Sequence, residues 1–169
     1  MKLTLWQRLD VLGRQITPCF LTLVLVMLSM MPLHLPMLAP VVPWLALVAV
    51  YYWSLHRPDL MPAVAVFAIG VFHDLIAGTV LGLSALILLL VQVAVISQRR
   101  FFASRSFWLT WVGFAIMAIG AGLLRWVGGV AWEGTLLDAR PAVFQVLLTV
   151  AVYPPVAWLF ARVQRLIAG

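Results

Sequence analysis

The chain has 169 residues, of which 65% are hydrophobic and only 9% are charged, and its mean hydropathy is +1.12. A soluble domain is roughly half apolar and a quarter charged, so this composition excludes an ordinary soluble fold and indicates an integral membrane protein. In a soluble protein the net charge of +6 would suggest nucleic-acid binding. Here the basic residues lie in short segments between apolar runs, so we expect them to contact membrane lipids and not nucleic acid.

Six apolar segments follow one another along the chain and predict an all-α, polytopic membrane protein with one transmembrane domain over residues 1–169. The expected spans are residues 16–33, 41–55, 60–77, 80–97, 107–124 and 141–160. The first span is too long for the apolar region of a signal peptide and has no clear cleavage site after it, so we expect it to remain as an anchor.

The segments between the spans have distinct compositions. Residues 1–15 suit either a short interfacial helix or a frayed start that carries orienting charges. Prolines recur from Pro32 to Pro43, which predicts an extended connection over residues 32–40. Gly78 and Thr79 predict a minimal turn, so spans 3 and 4 should form an antiparallel hairpin. Residues 125–140 are expected to be the longest loop.

The distribution of basic residues predicts the orientation. With both termini in the cytoplasm, nine basic residues face inward and two face outward. The inward residues are Lys2, Arg8, Arg14, Arg57, Arg99, Arg100, Arg105, Arg162 and Arg165, and the outward ones are Arg125 and Arg140. A five-span alternative would place the basic C-terminal segment outside, which disfavours it.

Asp74 is the most informative charged residue, because it lies within the third apolar span. A charge at the bilayer centre costs about 2.5 kcal/mol or more, so something must offset it. One hypothesis makes Asp74 a proton or cation site. The other, which we favour because no second intramembrane acid offers a relay, is that its carboxylate accepts N–H groups near Thr79 and Val80 and locks the hairpin. The adjacent His73 should point about 100° away and not pair with it.

Three glycines, Gly70, Gly78 and Gly82, flank Asp74, and the four residues follow one another at four-residue spacing. Small residues at this spacing let helix backbones approach closely. The pattern therefore predicts either packing of spans 3 and 4 against each other or a groove for a partner's transmembrane helix.

The turn before span 3 contains Arg57, Pro58 and Asp59. It could hold a local ion pair, a contact point for a cytoplasmic partner, or simply an orienting charge beside a turn proline. Exposed ion pairs contribute only about 0–1 kcal/mol, so stability is a weak reason for the pair.

Catalytic, metal and cofactor sites have little support in the sequence. His34, His73, Glu133 and Asp138 are all expected on one side of the membrane, but their spacing fits no metal site. No nucleophile motif and no glycine-rich phosphate loop is present, so we expect neither an enzyme nor a cofactor. The single Cys19 excludes an intrachain disulfide.

The pattern of Arg57-Pro58-Asp59, Gly70, Asp74, Gly78 and Leu81-Gly82, preceded by Tyr52-Trp53, resembles the rod shape-determining protein MreD family. The motif is confined to spans 2 to 4, and beyond about Gln98 only hydropathy supports the resemblance. Length and span number also agree.

The resemblance implies a scaffold in the bacterial inner membrane that takes part in lateral cell-wall elongation. Its implied partners are MreC and, through the complex, MreB, RodA and a class B penicillin-binding protein. The family is similar in fold to the six-helix substrate-binding subunits of energy-coupling factor transporters, so a vitamin-type uptake subunit is the alternative function.

Overall fold

A computed structural model describes residues 5–29, 42–102 and 106–168, and all regular secondary structure in these residues is helical. The helices are α1 (Leu5–Ser29), α2 (Leu45–His56), α3 (Ala63–Ala77), α4 (Leu83–Phe102), α5 (Phe107–Glu133) and α6 (Arg140–Ala168), with a short 3₁₀ turn at Pro58–Leu60 between α2 and α3. The predicted connection over residues 32–40 lies outside the described residues.

Three of these helices contain segments long and apolar enough to cross a membrane. The segments are Leu83–Phe101, Phe107–Glu133 and Arg140–Leu166. The apolar parts of the other three helices are shorter, at Ile16–Ser29, Leu45–His56 and Ala63–Ala77. The six predicted spans therefore correspond to six described helices, of which three meet the length expected of a span.

The short helix α2 lies at the centre of the fold. Every residue from Ala46 to Leu55 is buried, and α2 packs against α1, α4 and α6. A helix that is apolar on all sides is expected to be enclosed by other helices. It begins at Leu45, four residues later than predicted, and Pro43 accounts for part of this because proline disfavours helical geometry at the preceding residue, Val42.

The end of α5 corrects the sequence prediction most clearly. Residues 125–140 were expected to form a long loop, but α5 continues to Glu133 and only residues 134–139 connect it to α6. No proline interrupts the helix, and Gly134 ends it in the left-handed conformation at φ +68°. Arg125 is consequently a helix residue and not a loop residue.

Prolines inside α6 are accommodated by a contact from α5. Pro154 has no N–H to donate to the Val150 carbonyl four residues earlier. The indole Nε1 of Trp111 donates to that carbonyl at 3.1 Å instead. The helix therefore continues through Pro154 and Pro155 to Ala168.

Candidate functional site

The turn between α3 and α4, residues 78–82, is called the Asp74 turn here. Gly78 follows α3 with φ +64°, and its N–H donates to the Asp74 carbonyl. Thr79 N also donates to that carbonyl, at 3.2 Å. Gly82 has φ +89°. Both glycines occupy a region that other residues rarely adopt, so the turn geometry depends on them.

The Asp74 side chain closes this turn. It is only 1% exposed. Its Oδ1 accepts a hydrogen bond from the Thr79 hydroxyl at 2.9 Å, and its Oδ2 accepts from the backbone N–H groups of Gly82 at 3.0 Å and Ser84 at 3.1 Å. The carboxylate thus caps the start of α4, where the helix dipole favours an anion. The predicted cap is confirmed, although its backbone donors are Gly82 and Ser84 and not Val80.

The four-residue spacing of glycines has two separate structural causes. A Cβ built on Gly70 would lie 2.3 Å from the Ala85 Cα, so Gly70 is where the α3 and α4 backbones cross. A Cβ built on Gly78 or Gly82 would meet no atom within 4 Å. The prediction of close packing is therefore right for Gly70 and wrong for the other two, which serve the turn.

The connection between α2 and α3, residues 57–62, is called the Arg57 turn here. Two backbone hydrogen bonds lie within it, from Leu60 N to Arg57 O and from Met61 N to Pro58 O, both at 3.1 Å. Arg57 and Asp59 are exposed, and no ion pair joins them. Gln92 of α4 anchors the turn by donating its Nε2 to the Met61 carbonyl at 2.7 Å.

The candidate residues therefore fall into two groups. The Arg57 turn and the Asp74 turn lie at opposite ends of α3, whose 15 residues span about 22 Å. Gly70 and Asp74 belong with the second group. A single binding site for a small ligand therefore cannot include residues from both ends of α3.

Three further residues near Asp74 were not predicted as a group: Trp44, His73 and Arg125. The Arg125 guanidinium carbon lies 4.9 Å from the centre of the Trp44 ring, which is a cation–π distance. The Trp44 and His73 ring centres are 5.9 Å apart. His73 Nδ1 lies 4.0 Å from Asp74 Oδ1, too far for a hydrogen bond. Arg125 also interacts electrostatically with Asp74.

These three residues form a buried polar cluster with unused hydrogen-bonding capacity. Trp44 Nε1, His73 Nδ1 and Arg125 Nη1 are all buried without a hydrogen-bond partner. Arg125 nevertheless places a positive charge near the Asp74 carboxylate, which reduces the cost of burying that anion. The sequence signal for this contact was the absence of proline between Arg125 and Gly134, since the helix continues through Gly128 and Gly129.

The described residues around Asp74 do not form a metal-binding site. Within residues 5–29, 42–102 and 106–168, no three His, Cys, Asp or Glu side chains come together as metal ligands. His73 and Asp74 are neighbours, but Glu133 is the last residue of α5 and Asp138 lies in the connection between α5 and α6.

An all-helical bundle with spanning-length apolar helices and a carboxylate-capped hairpin defines a helical membrane protein. The chain matches the family of the rod shape-determining protein MreD over residues 10–163, and it belongs to that family. The resemblance seen in spans 2 to 4 is thereby confirmed, and the match extends into α6 as far as residue 163. No curated protein matches the chain. No solved structure matches it either, so the similarity to transporter subunits stays a prediction.

Proposed function

We propose that this protein is a non-enzymatic scaffold of the bacterial inner membrane that binds MreC and helps to regulate cell shape and lateral peptidoglycan synthesis. The observation that carries the proposal is the family match over residues 10–163. Through the complex, the scaffold would act together with MreB, RodA and a class B penicillin-binding protein.

The short connections support a scaffold role. Residues 57–62, 78–82 and 134–139 are the connections between α2 and α3, α3 and α4, and α5 and α6. Within the described part of the chain, partners can therefore be contacted only through helix faces and tight turns. A protein that holds other membrane proteins together requires no larger surface.

The two turns at the ends of α3 have different roles in this proposal. Both Asp74 oxygens are already engaged by the turn, which supports a structural role over proton or cation transfer. Arg57 and Asp59 have no such engagement and are exposed, so we assign the partner contact to the Arg57 turn. With both termini in the cytoplasm, this turn faces the cytoplasmic side of the complex.

Depletion and complementation test the proposal. Cells that lose this protein should become round, and the wild-type gene should restore rods. Arg57→Gln and Asp59→Asn should reduce co-purification of MreC, whereas Arg100→Gln, which changes an exposed arginine of α4, should not. Normal rods after depletion, with no compensating paralogue, would contradict the proposal. Loss of vitamin uptake with normal shape would instead favour the transporter alternative.

A further inference from the structure

A cavity of about 480 Å³ lies between α2, α5 and α6, at the end of the bundle where α2 stops and α5 starts. Its floor includes Tyr153, which is 1% exposed. Its mouth includes Phe107 and Trp158, which are 51% and 58% exposed. The cavity therefore opens on the outside of the bundle between two helices that are long and apolar enough to cross a membrane.

Three arginines act on residues that line this cavity. The Arg162 guanidinium carbon lies 4.8 Å from the centre of the Trp158 ring. Arg99 interacts electrostatically with His56, and Arg165 interacts with Tyr52; both His56 and Tyr52 line the cavity. In the described residues, no acidic side chain lies within ion-pair distance of these arginines.

We propose that this cavity binds an anionic phospholipid, with its phosphate against Arg99, Arg162 and Arg165 and an acyl chain in the cavity. Basic pockets between transmembrane helices are recognised sites for anionic headgroups. Guanidinium groups suit phosphate because they offer several donors in a fixed plane. The site lies at the opposite end of α2 from the Trp44–Arg125 contact.

The shape and lining of the cavity favour a lipid over a free phosphate. Aromatic and aliphatic side chains such as Leu55, Phe107 and Trp158 form most of the lining. A free phosphate would leave this apolar surface unfilled, whereas an acyl chain would cover it. Tyr52 is already held by its hydroxyl, which donates to Gln164 Oε1 at 3.1 Å, so one wall is fixed in place.

Tryptophan quenching tests the proposal on the full chain in nonionic detergent. Brominated phosphatidylglycerol should quench fluorescence saturably, and brominated phosphatidylcholine should bind at least tenfold more weakly. Trp158→Phe should remove much of the saturable quenching, because Trp158 is at the cavity mouth. Trp132→Phe, which changes an exposed tryptophan near the far end of α5, should leave it unchanged.

Two kinds of variant test the two parts of the proposed site separately: the arginines that would hold the phosphate and the cavity that would hold the acyl chain. Arg99→Gln and Arg162→Gln should each weaken phosphatidylglycerol binding about fivefold, the effect expected of one basic residue near a membrane surface. The neighbouring Arg100→Gln should change it less than twofold. Ala161→Leu should fill part of the cavity and weaken binding with every charge intact.

Several results would overturn the assignment. They are equal quenching by both lipids, equal losses for Arg99→Gln and Arg100→Gln, unchanged binding in Ala161→Leu, or displacement of the lipid by millimolar inorganic phosphate. If the arginine variants kept lipid affinity but lost capture of a partner with an acidic juxtamembrane segment, the cluster would be a protein-binding site. Elution as a single species and an unchanged helical circular dichroism spectrum are required of each variant.

Discussion

The two turns at the ends of α3 solve the same topological problem in different ways. In the Asp74 turn, a buried carboxylate and two left-handed glycines fix the path of the chain. In the Arg57 turn, backbone hydrogen bonds and the Gln92 side chain hold the chain, and the charged side chains of the turn itself are exposed. The difference teaches that a charge within an apolar segment can be a structural part of the fold, while exposed charges remain available for recognition.

The largest effect is expected at Asp74. Asp74→Ala leaves the buried N–H of Ser84 and the partly buried N–H of Gly82 without an acceptor and should lower the free energy of unfolding by about 3 kcal/mol or more. Asp74→Asn keeps one acceptor oxygen and should cost less. Unfolding in mixed detergent micelles measures both. Equal losses for the two variants would show that the charge, and not capping, is what matters.

Gly70 should be the next most sensitive position. Gly70→Ala forces a methyl group into the Ala85 backbone and should cost about 1–3 kcal/mol, since overpacking moves the helices apart. Gly120→Ala in α5 is the matched control, because a Cβ there meets no atom within 4 Å. It should be neutral or stabilising by up to about 1 kcal/mol. The same detergent titration compares them, and equal stabilities would refute a close crossing of α3 and α4.

Gly78 tests the backbone geometry of the Asp74 turn without a steric clash. Gly78→Ala should cost about 1–2 kcal/mol, because alanine is strained at φ +64°. Gly78→Asn should cost less, since asparagine tolerates the left-handed conformation. The order of the two thermal midpoints is the measurement; a more stable alanine variant would contradict the geometry.

A smaller effect on the free energy of unfolding is expected from the interaction between Arg125 and the Asp74 carboxylate. A double-mutant cycle with Asp74→Asn and Arg125→Gln should give a coupling energy of about 0.5–2 kcal/mol in the stabilising direction. Unfolding free energies of the four proteins supply it. Strict additivity would indicate that Arg125 and Asp74 act independently.

The smallest effect on stability is expected in the Arg57 turn. Asp59→Asn should change the free energy of unfolding by no more than about 0.5 kcal/mol, because the side chain is exposed and has no ion pair with Arg57. The same variant should reduce MreC capture. A destabilisation comparable to that of Asp74→Ala would remove the distinction between the two turns.

Most of the fold could be predicted from hydropathy, because each apolar segment in the described residues became a helix. The capping role of Asp74 could also be predicted, since a carboxylate beside a glycine-containing turn has few other partners. The contact of Arg125 with Trp44 could not, because the two residues are 81 positions apart in the chain and only the assembled bundle brings them together. Gly78 and Gly82 illustrate a further limit: spacing alone does not distinguish a packing glycine from a turn glycine.

The enclosure of α2 has a mechanical consequence. Its first turn is preceded by Trp44, which contacts Arg125, and its last residue is His56, which lines the cavity between α2, α5 and α6. Because no side chain from Ala46 to Leu55 is exposed, this rod of about 18 Å cannot slide without displacing its neighbours. A displacement at one end of α2 is therefore expected to be transmitted to the other end. The helix thus couples the Trp44–Arg125 contact mechanically to the cavity beside His56.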